Sequence, residues 1–421
     1  MPNHVQTAWP LTLAAALGDF SLARGLLHEG RSWLDRALAQ HPADQRLRAA
    51  LLRHLGALLY EDGDLQHAEA VLGEAAEAAD AAGDATLRAR IEVLLAYIRI
   101  TLGGSNAAAL DQIQAARAVL DAAGDLAGLA EAWFFTCHAL EGGSGDWAAN
   151  EEAYQRALAY ARQSGHHHVA VRASVYIGIV LSNAPVRADQ TIARLEQLLR
   201  DAGGDLWAEA HLLGELSGMY GYAGRFADAR AGLARSRALL TGFGARYFLV
   251  GTTIVAGLTE LAAGDFPAAE RWFREGYEAL RAMADRAYLS LAASGLAEAL
   301  YAQGCFEEAQ QMSEQAEATA GPDDFDPQAR WKIVRVKLLA QRGQFPAARR
   351  LLGEVQAALP PGEWPLLEAE TLVAKAEIAR LAGAPEEAEH HLRSALRIYQ
   401  DFRLVAFAEK TKAAIASLTQ T

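Results

Sequence analysis

The chain has 421 residues, with 52 acidic against 39 basic and a formal net charge of −13. Such a balance repels nucleic acid and anionic lipid unless a local basic face overrides it, and Arg225, Arg230, Arg235 and Arg237 share their stretch with Asp228, which reads as a solvated face. Alanine dominates the 52% hydrophobic fraction and prolines number only 12, which favours helix over extensive sheet.

In chain order, the first predicted element is a degenerate hairpin over residues 1–45, with helical spacing from Leu11 to Gln40. Met1–Pro10 lacks the charged-then-apolar pattern of a signal peptide. From residue 46 to 402 a turn of the form Gly-x-apolar-x-x-Ala returns at a period of about 40 residues, the mark of stacked supersecondary units. It stands at Gly63-Asp64-Leu65, Gly224-Arg225-Phe226, Gly264-Asp265-Phe266, Gly304-Cys305-Phe306, Gly343-Gln344-Phe345 and Gly383-Ala384-Pro385. Weaker copies sit at Gly103-Gly104 and Gly145-Asp146-Trp147, and a copy without glycine at Ala184-Pro185-Val186.

One repeat, Phe248 to Ala282, shows the plan. Ile254, Leu258 and Leu261 fall at helical spacing, which predicts an amphipathic first helix. Gly264 supplies the left-handed residue that ends it, and Phe266 plugs the turn. Pro267 suits the start of a second helix, where an N–H has no partner anyway. That second helix carries Ala269, Phe273 and Gly276, two small residues that let helices touch and one large residue that fills the gap. The pattern recurs over 47–82, 286–320 and 366–399. Asp84 and Asp125 each follow a glycine and precede a first helix, which predicts capping by their side chains. The last element, residues 403–421, reads as a capping helix with Glu409, Lys410 and Lys412 available to water.

The succession Gly/Ala, Tyr/Leu, Gly, aromatic, Ala, Ala resembles the tetratricopeptide (TPR) signature over essentially the whole chain. The resemblance implies an all-α fold, a right-handed α-α superhelix of about ten helical hairpins. The long repeat is similar to the repeat region of MalT-like bacterial signal-transduction regulators with STAND-type ATPases, and to antibiotic-regulator and cyclase relatives. Leu27–Leu38 resembles the point where their repeats begin, and Ala395–Tyr399 with Ala406–Glu409 resembles their last repeat. No Gly-x-x-x-x-Gly-Lys-Ser/Thr phosphate loop occurs, and no helix-turn-helix follows the last repeat. The expectation is the sensor portion of such a regulator or a stand-alone repeat protein, without ATP hydrolysis or direct DNA binding.

Chemistry-bearing clusters are few. His166-His167-His168 is the one histidine run that suggests metal, but adjacent helical residues point about 100° apart, so a solvated helix start is expected. His390-His391 with Glu387 reads as an outward face. Glu61-Asp62 and Asp323-Asp324 suit helix ends, and Gly251-Thr252-Thr253 is a weak phosphate loop. Cys137 and Cys305 lie in different repeats and are expected to be reduced. No apolar run reaches the roughly 18 residues that span a membrane. No catalytic residue, metal site or cofactor is expected, and the location expected is cytoplasmic.

The TPR resemblance places the inner face on the first helices. Register transfer puts Arg53, Tyr60, Tyr97, Phe135, Arg172, Ser182, His211 and Tyr222 there, followed by Glu298, Tyr301, Arg330, Lys337, Glu377 and Arg380. Aromatic and arginine side chains together suit a protein or peptide segment, with a small-molecule inducer and self-association as further candidates. The rival to this ligand-binding reading is an assembly scaffold or co-chaperone-like adaptor with no small ligand.

Overall fold

The computed structural model describes residues 17–18, 20–22, 26–40, 42–102, 104–141, 147–243, 245–283, 286–321 and 325–418. Met1–Pro10, most of the expected first helix after Leu11, Gly103, Gly145-Asp146 and Asp323-Asp324 lie outside them. No strand occurs among the described residues. The chain divides into two compact units, residues 1–180 and 181–421.

The first unit contains α1 (Leu27–Leu38), α2 (Gln45–Glu61), α3 (Leu65–Ala82), α4 (Ala85–Thr101), α5 (Asn106–Ala122), α6 (Leu126–Glu141), α7 (Trp147–Ser164) and most of α8 (His167–Asn183). The second contains α9 (Ala188–Asp201), α10 (Leu206–Tyr222), α11 (Phe226–Gly242), α12 (Arg246–Ala263), α13 (Phe266–Ala282), α14 (Arg286–Ala302) and α15 (Phe306–Thr319). It ends with α16 (Phe325–Gln341), α17 (Phe345–Ala358), α18 (Pro365–Leu381), α19 (Pro385–Asp401) and α20 (Val405–Leu418). The division falls beside the one repeat turn that lacks a glycine, Ala184-Pro185-Val186.

Each repeat is a helical hairpin of tetratricopeptide type. Consecutive helices pair, and successive first helices also touch: α10 with α12, α14 with α16, α16 with α18. In the first unit, α2 meets α4 and α4 meets α6 in the same way. First helices therefore form one layer of each unit and second helices the other.

Local chemistry sets the hairpins. Gly264 ends α12 with φ +81°, and Asp265 then accepts a bond from Ala268 N–H at 3.1 Å to open α13. Asp84 and Asp125 cap their helices through Leu87 N–H at 2.9 Å and Gly128 N–H at 3.1 Å, as their positions imply. Cys137 and Cys305 are both free thiols.

The core is built on close approach. Phe273 is fully buried. The small residues that admit its ring come from the neighbouring first helices, while Gly276 of its own helix faces Thr253: a Cβ at Gly257 would stand 2.7 Å from the ring and one at Gly295 2.3 Å. Gly56 makes the same room for Leu72 in the first unit, at 2.5 Å.

Phe273→Ala is expected to cost roughly 3–5 kcal/mol, because glycines on both sides leave nothing to collapse into the hole. Gly295→Ala alone should destabilise as well. The double variant should cost less than the sum, since the new methyl enters the vacated space. Urea unfolding of the three variants checks this, and a Phe273→Ala protein melting within about a degree of the parent would contradict the packing.

Candidate functional site

The first helices present a stripe of polar and aromatic side chains in each unit, and the two stripes differ in how their needs are met. In the first unit Arg53 on α2 donates through Nη2 to both oxygens of Glu131 on α6, at 2.6 and 2.5 Å. His166 Nε2 lies 3.1 Å from the same carboxylate. Arg172 on α8 pairs with Glu61 on α2 and donates to the Tyr60 hydroxyl at 3.3 Å. Its guanidinium lies over the Phe134 ring at 4.6 Å. Tyr60, Tyr97 and Phe135 join in one aromatic cluster, with centroids 5.5, 6.2 and 4.9 Å apart.

The charged groups of the first-unit stripe are thus paired with one another, although Arg53 Nε is buried and unbonded. Arg53 and Phe135 are each only 7% exposed. Burial alone would raise Glu131, but the Arg53 charge and the His166 contact outweigh it and hold the carboxyl well below its usual range. Burial works against the charge on Arg172, and Glu61 and Tyr60 more than restore it. Burial pushes the Tyr60 phenol up.

The histidine run departs from the expected solvated start. His167 is exposed, but the His166 and His168 side chains are only 15% and 22% exposed. His166 precedes α8 and is free of the helical 100° step, so both rings can turn toward the carboxylates Glu131 and Glu61. Burial, aided by the Arg172 charge, lowers His168 to about 3. No cluster of three or more metal-ligating side chains forms among the described residues.

In the second unit the stripe runs along α14, α16 and α18, with Tyr222 from α10 and Tyr399 from α19. Lys337 Nζ donates to Glu298 at 2.6 Å. The Tyr301 hydroxyl donates to Glu377 at 2.9 Å, and Gln341 Nε2 donates to that hydroxyl at 3.1 Å. Arg380 also holds Glu377, at 2.9 and 3.1 Å. Arg330 spends its Nε on Asp326, one helical turn earlier, at 2.8 Å.

Glu370 is the exception. Its nearest cation, Arg330 Nη1, is 4.0 Å away, and no hydrogen bond holds it among the described residues. Burial raises its pKa, and Arg330 and Lys337 do not cancel the effect. By contrast, burial would lower Lys337, and Glu298 keeps it raised. Burial lifts the Tyr222 phenol to about 12 and Tyr399 well above its ordinary value. These groups are walled by protein yet still reach solvent: the Lys337, Arg330, Glu370 and Glu298 side chains are 13, 22, 28 and 31% exposed. The lining can meet a guest.

His211 does not join this stripe. It packs among Trp207 and Phe248, at 4.8 and 4.4 Å, with Nε2 buried and unbonded, and burial lowers it to about 4. Ser182 lies near Glu215 and donates a side-chain hydrogen bond to it. Sequence reasoning missed Glu370, Asp326 and Tyr399. A usable signal existed for two of them: Glu370 precedes Glu377 by seven residues, as Arg330 precedes Lys337, and Asp326 precedes Arg330 by four, so each shares its helix face.

The chain is similar in structure to a Rap protein complexed with competence and sporulation factor, at 10% identity over 89% of this chain and 98% of that one, TM-score 0.49. It is also similar to NprR in complex with its cognate peptide NprX, at 16% over 68% and 82%, TM-score 0.49. A further similarity is to yeast Tom70, at 12% over 96% of each chain, TM-score 0.37. At these values the tetratricopeptide-type fold rests on the hairpins themselves. No protein-family model matches this chain, and no curated protein matches it.

The buried histidines set a pH slope. A histidine lowered on folding stays neutral while the unfolded chain takes up protons below about 6.5, so stability is lost as pH falls through that value toward the folded pKa. For His168 the loss by pH 5 should reach about 2 kcal/mol. His168→Gln should flatten the slope between pH 7 and 5, a window above the range where Glu131 gains its proton. Chemical denaturation at half-unit pH steps checks it, and an unchanged slope would contradict the inward placement.

Proposed function

We propose that this chain is a non-catalytic binding module that receives a protein or peptide segment on the first-helix face of its second unit. The observation that carries the reading is the contrast between the two stripes. In the first unit Arg53, Glu131, Glu61 and Arg172 are paired with one another. In the second, Glu370 is left with a 4.0 Å contact, and Arg330 turns only its Nε to Asp326 while its side chain remains 22% exposed. A loosely held donor and acceptor near Tyr222, with Tyr301 on the same helix layer, suit a peptide, which offers amide N–H and C=O groups and side-chain anchors together.

The repeat pattern supports a place in bacterial signal transduction, as the sensor or protein-interaction part of a MalT-like transcription regulator. There a bound segment, or a small inducer, would bias the array toward a signalling state through its different affinity for the two. The scaffold reading has its own support in an apolar patch at the start of α10 and around α12, where Leu206, Phe243 and Phe248 are 46, 46 and 42% exposed beside Trp207. Such a patch suits self-association.

A peptide-array screen with the purified chain, followed by titration of the strongest peptide, separates these readings. Tyr301→Ala and Arg330→Ala should each weaken binding about ten-fold or more, as anchor truncations do, with melting still cooperative. Glu270→Ala, on the second-helix layer, should leave affinity unchanged. Binding lost with Phe248→Ala but kept with Tyr301→Ala would favour the scaffold face instead.

A further inference from the structure

The C-terminal helix α20 does more than cover the last hairpin. Its main bed is α19, and Ala414, Ile415 and Leu418 pack on the apolar cluster of Ala376, Ala379, Ala388 and Leu392. It also reaches the far first helices of the second unit. The Phe407 ring lies 5.4 Å from Tyr222 of α10 and 5.4 Å from Tyr399 of α19. Lys410 Nζ donates to the carbonyl of Leu261 on α12. Just before the helix, the Phe402 carbonyl accepts from Ala188 N–H at 2.9 Å, which ties the end of the unit to its beginning. Glu409 and Lys412 pair with each other at the surface, while Lys410 is drawn across.

This hold is thin. The buried residues within α20 are Ala406, Ala408 and Thr411, whereas α19 buries Leu392 and Tyr399 along with two alanines. Val405 is 43% exposed, beside an open cavity lined by Ile192, Ala193, Ala223 and Arg403. Arg403 has φ +57°, the one positive value among described non-glycine residues, at a turn where the other hairpins place glycine. A side chain in that region of backbone space is disfavoured, and such strain gathers at elements built to move. An element with few buried apolar side chains opens ahead of the rest of its unit.

Resting on the binding reading above, we propose that the surface beneath Phe407 and Lys410, formed by Tyr222, Tyr399 and the Leu261 carbonyl, is a helix-docking site. Its resident is α20, and a partner helix of the same pattern replaces it. That pattern is an aromatic residue followed three positions later by lysine or arginine, on a helix whose packing face is small. The aromatic residue enters between the two tyrosines. The cation takes the Leu261 carbonyl at the C-terminal end of α12, which also accepts from Gly264 N–H at 3.1 Å and where the helix dipole favours positive charge.

A fluorescein-labelled synthetic peptide of residues 402–418 tests the exchange directly against the full chain. The parent should bind it weakly, because its own helix competes. The Phe407→Ala/Lys410→Ala chain should bind it about ten-fold tighter or better, in line with removal of an internal competitor. The same peptide carrying Phe407→Ala should lose that gain. Equal affinity for parent and variant, or no saturable binding to a variant that still melts cooperatively, overturns the proposal. Hydrogen exchange on the parent gives a second readout that no substitution can disturb: α20 amides should exchange about ten-fold faster than those of α19, and equal protection of the two helices also overturns it. The probe is this chain's own helix, so a negative result counts against exchange alone, whereas failure of the Tyr301 and Arg330 substitutions counts against the binding face.

Discussion

Neighbouring helices in this protein pack only as closely as glycine allows, and the Phe273 ring between Gly257 and Gly295 shows what that closeness is used for. One large side chain fills the space that two missing side chains leave, and three helices are fixed at once. Gly56 against Leu72, and Gly276 against Thr253 at 2.3 Å, repeat the device. Helices held this near each other bring their inward side chains within hydrogen-bond reach across repeats. The polar stripes are a consequence of that packing.

Within those stripes, burial determines what each charge can do. A buried carboxylate is costly unless a cation and hydrogen bonds answer it. Glu131 is answered by Arg53 and His166, and Glu61 by Arg172. Such groups hold the first unit together and have little left to offer a guest. Glu370 is in the same kind of setting without an equal answer, its nearest cation being Arg330 Nη1 at 4.0 Å. The same residue types, on the same helix layer, are cement in one unit and, in the proposed function, a receptive surface in the other.

The fold was legible because its signals are local. Gly264 and Pro267 announce a helix end and a helix start within four residues, Asp84 and Asp125 announce caps, and each does that in the structure. Phe273 was legible as the filler of a gap, and only the identity of the flanking glycines came from the neighbouring helices. The site was legible only as a stripe. Which charge answers which depends on pairs far apart in the chain: Arg53 with Glu131 are 78 residues apart, and Arg172 with Glu61 are 111. No spacing rule reaches that far, so residues that close the first unit could not be told from those that stay available in the second. The inward turn of His166 was hidden for another reason, since it stands one residue before the helix whose geometry was applied to it. Arg403 was hidden because nothing in an arginine codon suggests a left-handed backbone.

The central claim is that a partner meets the first-helix face of the second unit. Hydrogen exchange of the full chain, with and without a saturating partner peptide, tests it most directly. Protection should appear along α14, α16 and α18, around Tyr301, Arg330 and Glu370, with the second helices α13 and α15 unchanged. Protection confined to α13 and α15, or to the paired stripe of the first unit, would contradict it.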